Sequence, residues 1–220
     1  MNLADAVGMS DVLQRLQDSV VDLDTEGTQR ACVEALESGI APYKVVSEGL
    51  GRGMKIVGEK YEAGEYFLSE LVMAAEVMKD GMKILEPHLK AGDVKLIGRV
   101  AIGTVKGDLH DIGKNLVATL LEAAGFEVTD LGVDVPAEKF ISAIREHEPE
   151  ILAMSTLLTT TMSGMGVVIR ETERTGLRRK VKIIIGGAPI TPEYAKKIGA
   201  DAAAKDAVEA VKICKTWMGS

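Results

Sequence analysis

The chain has 220 residues, 46% of them apolar and 27% charged, with a formal net charge of −7 at pH 7. That length suits one or two domains with a real core, and the composition lies well away from the disordered, collagenous and membrane-spanning classes. The longest basic run is Arg178-Arg179-Lys180, so the electrostatic footprint of nucleic-acid or anionic-membrane binding is missing.

No stretch approaches the roughly 20 continuous apolar residues of a membrane helix. Residues 1–11 are acidic and show no signal pattern, so the chain is expected to be cytoplasmic. Cys32 and Cys214 are the only cysteines, far apart in segments that read as helices, and they suit small core positions better than a disulfide or a metal clamp. Aromatic residues make up 4% and methionines number ten, so a large flat ligand would be held by aliphatic, sulfur and backbone surfaces.

Along the first 90 residues apolar positions recur at intervals of three and four, which predicts helices near 9–23, 25–38, 42–63 and 68–88. Thr25 with Thr28 is expected to cap the second, and Pro42 suits the first turn of the third. Four such helices make a small bundle. Ala91-Gly92-Asp93 follows as a short polar break, expected to be a hinge over 91–94.

Beyond it the period changes. Strands are expected at 95–104, 127–130, 151–155, 182–185 and 201–204, and helices at 113–124, 137–146, 159–174, 192–198 and 207–218. Alternating β and α units with nearly continuous apolar strands predict a parallel sheet covered on both faces, an α/β fold of five strands in the flavodoxin or Rossmann manner. The expected division is a helical domain over 1–90 and an α/β domain over 91–220. Ligands of such sheets sit beyond the carboxyl ends of the strands, where the strand order switches. The loops at 104–113, 155–161 and 186–189 are therefore the ones that count.

The first loop reads Gly107-Asp108-Leu109-His110-Asp111-Ile112-Gly113. A carboxylate two residues before an imidazole can accept the proton of one ring nitrogen, fix the tautomer and strengthen the other nitrogen as a donor. That suits a metal ligand or a general base. It equally suits a solvated helix start, with Asp108 or Asp111 as N-cap and His110 merely exposed. His88 and His147 lie in other segments and no cysteine is near, so a zinc sphere cannot be counted. A lone axial ligand fits a metal that brings its own equatorial ring, a haem or a corrin.

Asp108-Leu109-His110-Asp111-Ile112-Gly113, then Ser155-Thr156-Leu157-Leu158-Thr159-Thr160-Thr161, then Gly186-Gly187, resembles the cobalamin-binding signature D-x-H-x-x-G, S-x-L, G-G of methyltransferases. In order and spacing it is similar to cobalamin-dependent methionine synthase and to the small corrinoid proteins of methylamine, methanol and methoxy-compound systems, which also carry a helical cap. The resemblance implies a base-off, histidine-on corrinoid such as methylcobalamin, with His110 as lower axial ligand to cobalt and Asp108 as its orienting partner. Thr161 is the positional match for the family's relay serine. Gly107, Asp108, Leu109, Asp111, Ile112 and Gly113 would form the binding loop, with Gly103 giving further clearance. Ser155, Leu157, Thr159, Gly186 and Gly187 would line the slot of the nucleotide tail. Met154 and Met162 flank the exit of the third strand and could line the corrin, although methionine more often fills gaps in a core.

Met54–Leu71 resembles the family's cap segment, which implies that Phe67 and Leu71 cover the upper corrin face, beside Tyr66 and Leu68; packing inside the bundle is the alternative reading for Phe67 and Leu71. Ser69 replaces the usual proline and is expected to loosen the helix start. Ala202-Ala203-Ala204 is expected to widen the lower rim of the slot. The function implied is that of a carrier holding a methyl group on cobalt between a substrate-specific methyltransferase and a second one acting on tetrahydrofolate or a thiol such as coenzyme M, with a reductive activation protein as a further partner. Such a chain is a component of an enzyme system rather than a complete enzyme. The alternatives are an adenosylcobalamin-dependent isomerase subunit, against which the cap argues, and a cobalamin sensor, against which the charge argues.

Overall fold

The computed structural model describes residues 3–89 and 96–219, with side chains from residue 9. The expected hinge at 91–94 and the expected start of the first strand at 95 lie outside the described residues. The chain divides into two compact units, one helical and one α/β.

In the helical unit α1 (Leu3–Val21) and α2 (Thr25–Glu37) form a hairpin. A short α3 (Pro42–Lys44) runs through a π-helical segment (Val45–Leu50) into α4 (Gly51–Glu62), and α5 (Leu68–Leu85) follows. A helix at 42–63 is therefore present with one wide turn inside it, and Pro42 stands in its first turn. Asp24, rather than Thr25 or Thr28, caps α2, accepting the Gly27 amide at 2.9 Å; Thr28 is buried and bonds the Ser19 hydroxyl instead. Leu16, Val20, Val45, Leu50, Val57 and Leu85 are fully buried, the apolar stripes that the three-and-four spacing announces. At Gly53 an added Cβ would lie 2.8 Å from the Cβ of Val20, so glycine is what lets α4 approach α1.

The α/β unit alternates strictly: β1 (Arg99–Thr104), α6 (Ile112–Ala123), β2 (Glu127–Asp130), α7 (Ala137–His147), β3 (Ile151–Ser155), α8 (Ser163–Arg174), β4 (Lys182–Gly186), α9 (Pro192–Ile198), β5 (Ala202–Ala204) and α10 (Ala207–Trp217). All pairings are parallel and the order is β2-β1-β3-β4-β5. The order reverses between β1 and β3, so the crevice of this sheet opens where the loops after those two strands meet. One face buries Leu152, Met154, Ile183 and Ile185 with Phe140, Met165 and Ile169 from the helices. Of the two readings of Met154, core packing is the one found: the residue is buried in that face. Gly103 belongs there too: its missing Cβ would meet the Phe140 ring at 3.0 Å, so this glycine serves strand-to-helix packing and not a ligand tail.

Candidate functional site

The loop leaving β1 is fixed before its side chains are considered. Thr104 N–H donates to Gly132 O at 3.0 Å, and its hydroxyl donates to His110 O at 2.9 Å. Asp134, at φ +52°, takes the Gly107 amide on its carboxylate at 2.6 Å and donates its own amide to Asp108 O at 3.0 Å. The backbone on both sides of Asp108 is thus tied to the loop after β2. At the start of α6 the buried Lys114 pairs with Asp130 and donates to Asn115 at 2.6 Å, and Asn115 donates to Asp111 at 3.1 Å.

Asp108 is completely buried and both its oxygens are used. Oδ1 accepts the His110 amide at 3.0 Å and faces His110 Nδ1 at 2.7 Å. Oδ2 accepts from the Thr156 hydroxyl at 2.8 Å and from the amides of Leu157 and Leu158 at 2.7 and 3.2 Å, with Thr161 Oγ1 3.3 Å away. Burial alone would raise the pKa of this carboxyl. The donations from the His110 and Leu157 amides, the imidazole and the Thr156 hydroxyl outweigh it and hold the pKa well below the usual carboxylate range. An ionised carboxylate only accepts, so the proton between the two groups sits on Nδ1, and in the neutral ring Nε2 carries the lone pair.

The His110 ring is half exposed, its side chain 53% accessible, while the acid behind it is inaccessible. Leu109 and Ile112 are exposed at 72% and 71%, and Leu157 and Leu158 are exposed as well. A single imidazole whose second nitrogen has no partner among the described residues, on a loop with exposed apolar side chains at the mouth of a parallel sheet, is placed where it could serve as a ligand. The pairing of Asp108 with His110 was expected from the sequence, and the loop after β3 comes to Asp108. Sequence reading missed Thr156, which is fully buried and closer to Asp108 than Thr161 is.

The remaining residues fall into three groups. Thr104, Ser155, Gly186 and Ala204 are register partners across β1, β3, β4 and β5, so four small residues share one face at the carboxyl end of the sheet. Gly187, at φ +128°, has no room for a side chain, since a Cβ would lie 1.8 Å from Thr156 O. An added Cβ at Gly113 would meet nothing within 4 Å, and Thr159 is exposed. In the helical unit Phe67 is 69% exposed, whereas Leu71 is buried and has no surface to offer a ligand. Ser69 does not loosen the start of α5: its hydroxyl donates to Glu70 at 3.0 Å, and Glu70 takes the Phe67 amide at 2.9 Å, closing that end. Tyr66 is tethered to Val21 O at 2.8 Å.

A ring metal with one protein ligand fits this donor set. The described residues hold no group of three or more His, Cys, Asp or Glu able to bind a metal by themselves, while the half-exposed imidazole of His110 is backed by a buried carboxylate, with exposed Leu109 and Ile112 on the same loop.

Two family models, each described as a B12 binding domain, match residues 98–212 and 12–86. The chain is 41% identical over 207 residues to the trimethylamine corrinoid protein of Methanosarcina barkeri, covering 92% of this chain and 95% of that one. It is 42% identical over 213 residues to dimethylamine corrinoid protein 3 of Methanosarcina acetivorans, covering 97% and 98%. Among solved structures, the methanol:cobalamin methyltransferase complex from Methanosarcina barkeri aligns with a TM-score of 0.84 at 28% identity, covering 96% of this chain and 80% of that one. Motif, topology and nearly end-to-end similarity agree: the chain belongs to the B12-binding corrinoid proteins of the methylamine methyltransferase systems.

Proposed function

We propose that His110 is the lower axial ligand, in a base-off and histidine-on arrangement, of the corrinoid on which this chain carries its methyl group. The observation that carries the reading is the pairing of a fully buried, ionised Asp108 with Nδ1 of a half-exposed imidazole, at 2.7 Å. When bound, the corrinoid supplies a cobalt centre that accepts a methyl group and gives it up again.

What the chain supplies follows from its own atoms. Asp108 holds the proton on Nδ1, so the neutral ring presents its lone pair at Nε2, and the hydrogen bond strengthens that nitrogen as a donor. Six contacts hold that carboxylate, from the amide and ring of His110, the amides of Leu157 and Leu158, and the hydroxyls of Thr156 and Thr161. Asp108 therefore does not turn away when the imidazole moves. Leu109, Ile112, Leu157 and Leu158 give a macrocycle apolar contact and keep water from the ligand bond. The small row Thr104, Ser155, Gly186 and Ala204, with Thr159 and Gly187 just beyond the strands, suits the walls of a slot for the nucleotide tail. The exposed Phe67 suits a cover for the methyl-bearing face.

The methyl donor is a methylated amine presented by a separate substrate methyltransferase. This reading is supported by the trimethylamine and dimethylamine relatives. A second methyltransferase removes the methyl group to tetrahydrofolate or a thiol such as coenzyme M, a reductive activation protein restores the centre, and the exchange takes place in the cytoplasm. No helix among the described residues is long and apolar enough to cross a membrane.

The test is direct. The chain labelled with nitrogen-15 histidine is loaded with cobalamin, brought to the cobalt(II) state and examined by electron paramagnetic resonance. Nitrogen splitting should change from triplets to doublets on labelling and disappear in His110→Ala, with the corrinoid retained. Splitting indifferent to the label removes His110 from the metal.

A further inference from the structure

The sequence match selects Thr161 as the hydroxyl behind Asp108, yet a second hydroxyl stands between the two. Thr156 is fully buried, with Oγ1 2.8 Å from Asp108 Oδ2. Thr161 Oγ1 lies 2.5 Å from Thr156 Oγ1, and only 3.3 Å from the carboxylate. Its other short contact is the Leu158 carbonyl at 3.0 Å. Each hydroxyl has one proton to give. The amides of Leu157 and Leu158 already occupy part of Oδ2, so the short hydroxyl donation belongs to Thr156, and Thr161 reaches the acid most closely by donating to Thr156 Oγ1.

We propose that Thr156 is the positioning residue that sets the acceptor strength of Asp108 toward His110, and that Thr161 acts on the carboxylate through it. The inference rests on the axial-ligand reading above for its functional meaning, but not for its first measurement. A carboxylate spreads its charge over two oxygens, so a donor at Oδ2 withdraws charge from Oδ1, the oxygen that faces Nδ1. Hydroxyls in series polarise one another, so donation from Thr161 makes Thr156 the stronger donor. Two hydroxyls in line thereby hold the pull of Asp108 on the imidazole proton below that of a carboxylate served by amides alone. The backbone keeps the line in place: the Thr156 amide donates to Gly186 O at 3.2 Å, and the bare Cα of Gly187 lets Thr156 O approach.

Cofactor-free protein labelled with nitrogen-15 histidine is compared by NMR as wild type, Thr156→Val, Thr161→Val and Thr156→Ser, following the His110 Nδ1 proton. Valine keeps the shape and deletes the hydroxyl. Thr156→Val should move that resonance downfield by at least twice the displacement in Thr161→Val, and Thr156→Ser should return it to its wild-type position. An unmoved resonance in Thr156→Val, or an equal or larger displacement in Thr161→Val, overturns the proposal. So does an upfield shift or loss of the resonance in Thr156→Val, which is what mere disordering of the acid would give.

If Thr156→Val does not fold, Thr161→Val decides alone. A sharp resonance with a small downfield displacement upholds the assignment, and its disappearance overturns it. Loading the same chains and His110→Ala with cobalamin separates the two ideas. Labelled-histidine splitting that survives in His110→Ala removes the axial-ligand reading, while the cofactor-free shifts still rule on Thr156.

Discussion

Asp108 stores its contribution in contacts that need its charge. Its folded-state pKa lies below the unfolded value, so the stabilisation is fully present above the ordinary aspartate pKa of about 3.9 and is lost as pH falls through that range toward the folded value. Asp108→Asn keeps the shape, but its amide group turns donors toward donors at Leu157 or at His110, and should cost about 3 kcal/mol at neutral pH. Urea midpoints should fall more steeply with acid for the wild type than for Asp108→Asn between about pH 4 and pH 2. Parallel slopes would place the acid sensitivity elsewhere. The Asp-x-His pair was legible because a two-residue offset on one loop leaves little geometric freedom. Thr156 was not, because five of the seven residues 155–161 carry hydroxyls. Selecting among them needs the pairing of β1 with β3, a relation between residues 48 apart.

At the scale of elements, β and α alternation was readable because buried parallel strands are short apolar runs, and the observed strands 127–130, 151–155 and 182–186 follow those runs closely. Two things were not readable. The π-helical turn at Val45–Leu50 depends on how α4 and α1 meet, with Gly49 and Gly53 against Leu16 and Val20, and no local pattern announces it. Gly103 looked like clearance for a ligand, although its space is taken by Phe140, a residue 37 positions on. Gly187 is the opposite case, a turn in which both conformation and space demand glycine. Gly187→Ala would force a Cβ onto Thr156 O at φ +128°, and relief requires moving the strand end that carries Thr156. The substitution should destabilise the α/β unit by about 3 kcal/mol or more and loosen retention of cobalamin on gel filtration. An alanine chain with unaltered stability and cofactor retention would mean that this turn takes no part in holding the site.

For the molecule as a whole, the two cysteines give each unit its own reporter. Cys32 lies in α2 of the helical unit and Cys214 in α10 of the α/β unit, both buried, and burial pushes each thiol pKa up to about 12. A thiol in that state is inert, so labelling by an alkylating reagent requires its unit to open. Single-cysteine chains, Cys32→Ala and Cys214→Ala, therefore read the opening of one unit at a time. A ligand that binds only the closed form stabilises it by RT ln(1 + [L]/Kd), about 2.7 kcal/mol at a hundredfold excess over Kd. The proposed axial ligand and tail walls all come from the loops and strand ends of the α/β unit. Cobalamin at that excess should slow labelling of Cys214 by about a hundredfold. Labelling of Cys214 at the cofactor-free rate, with the corrinoid demonstrably bound, would mean that His110 and the strand-end row are not what grips it.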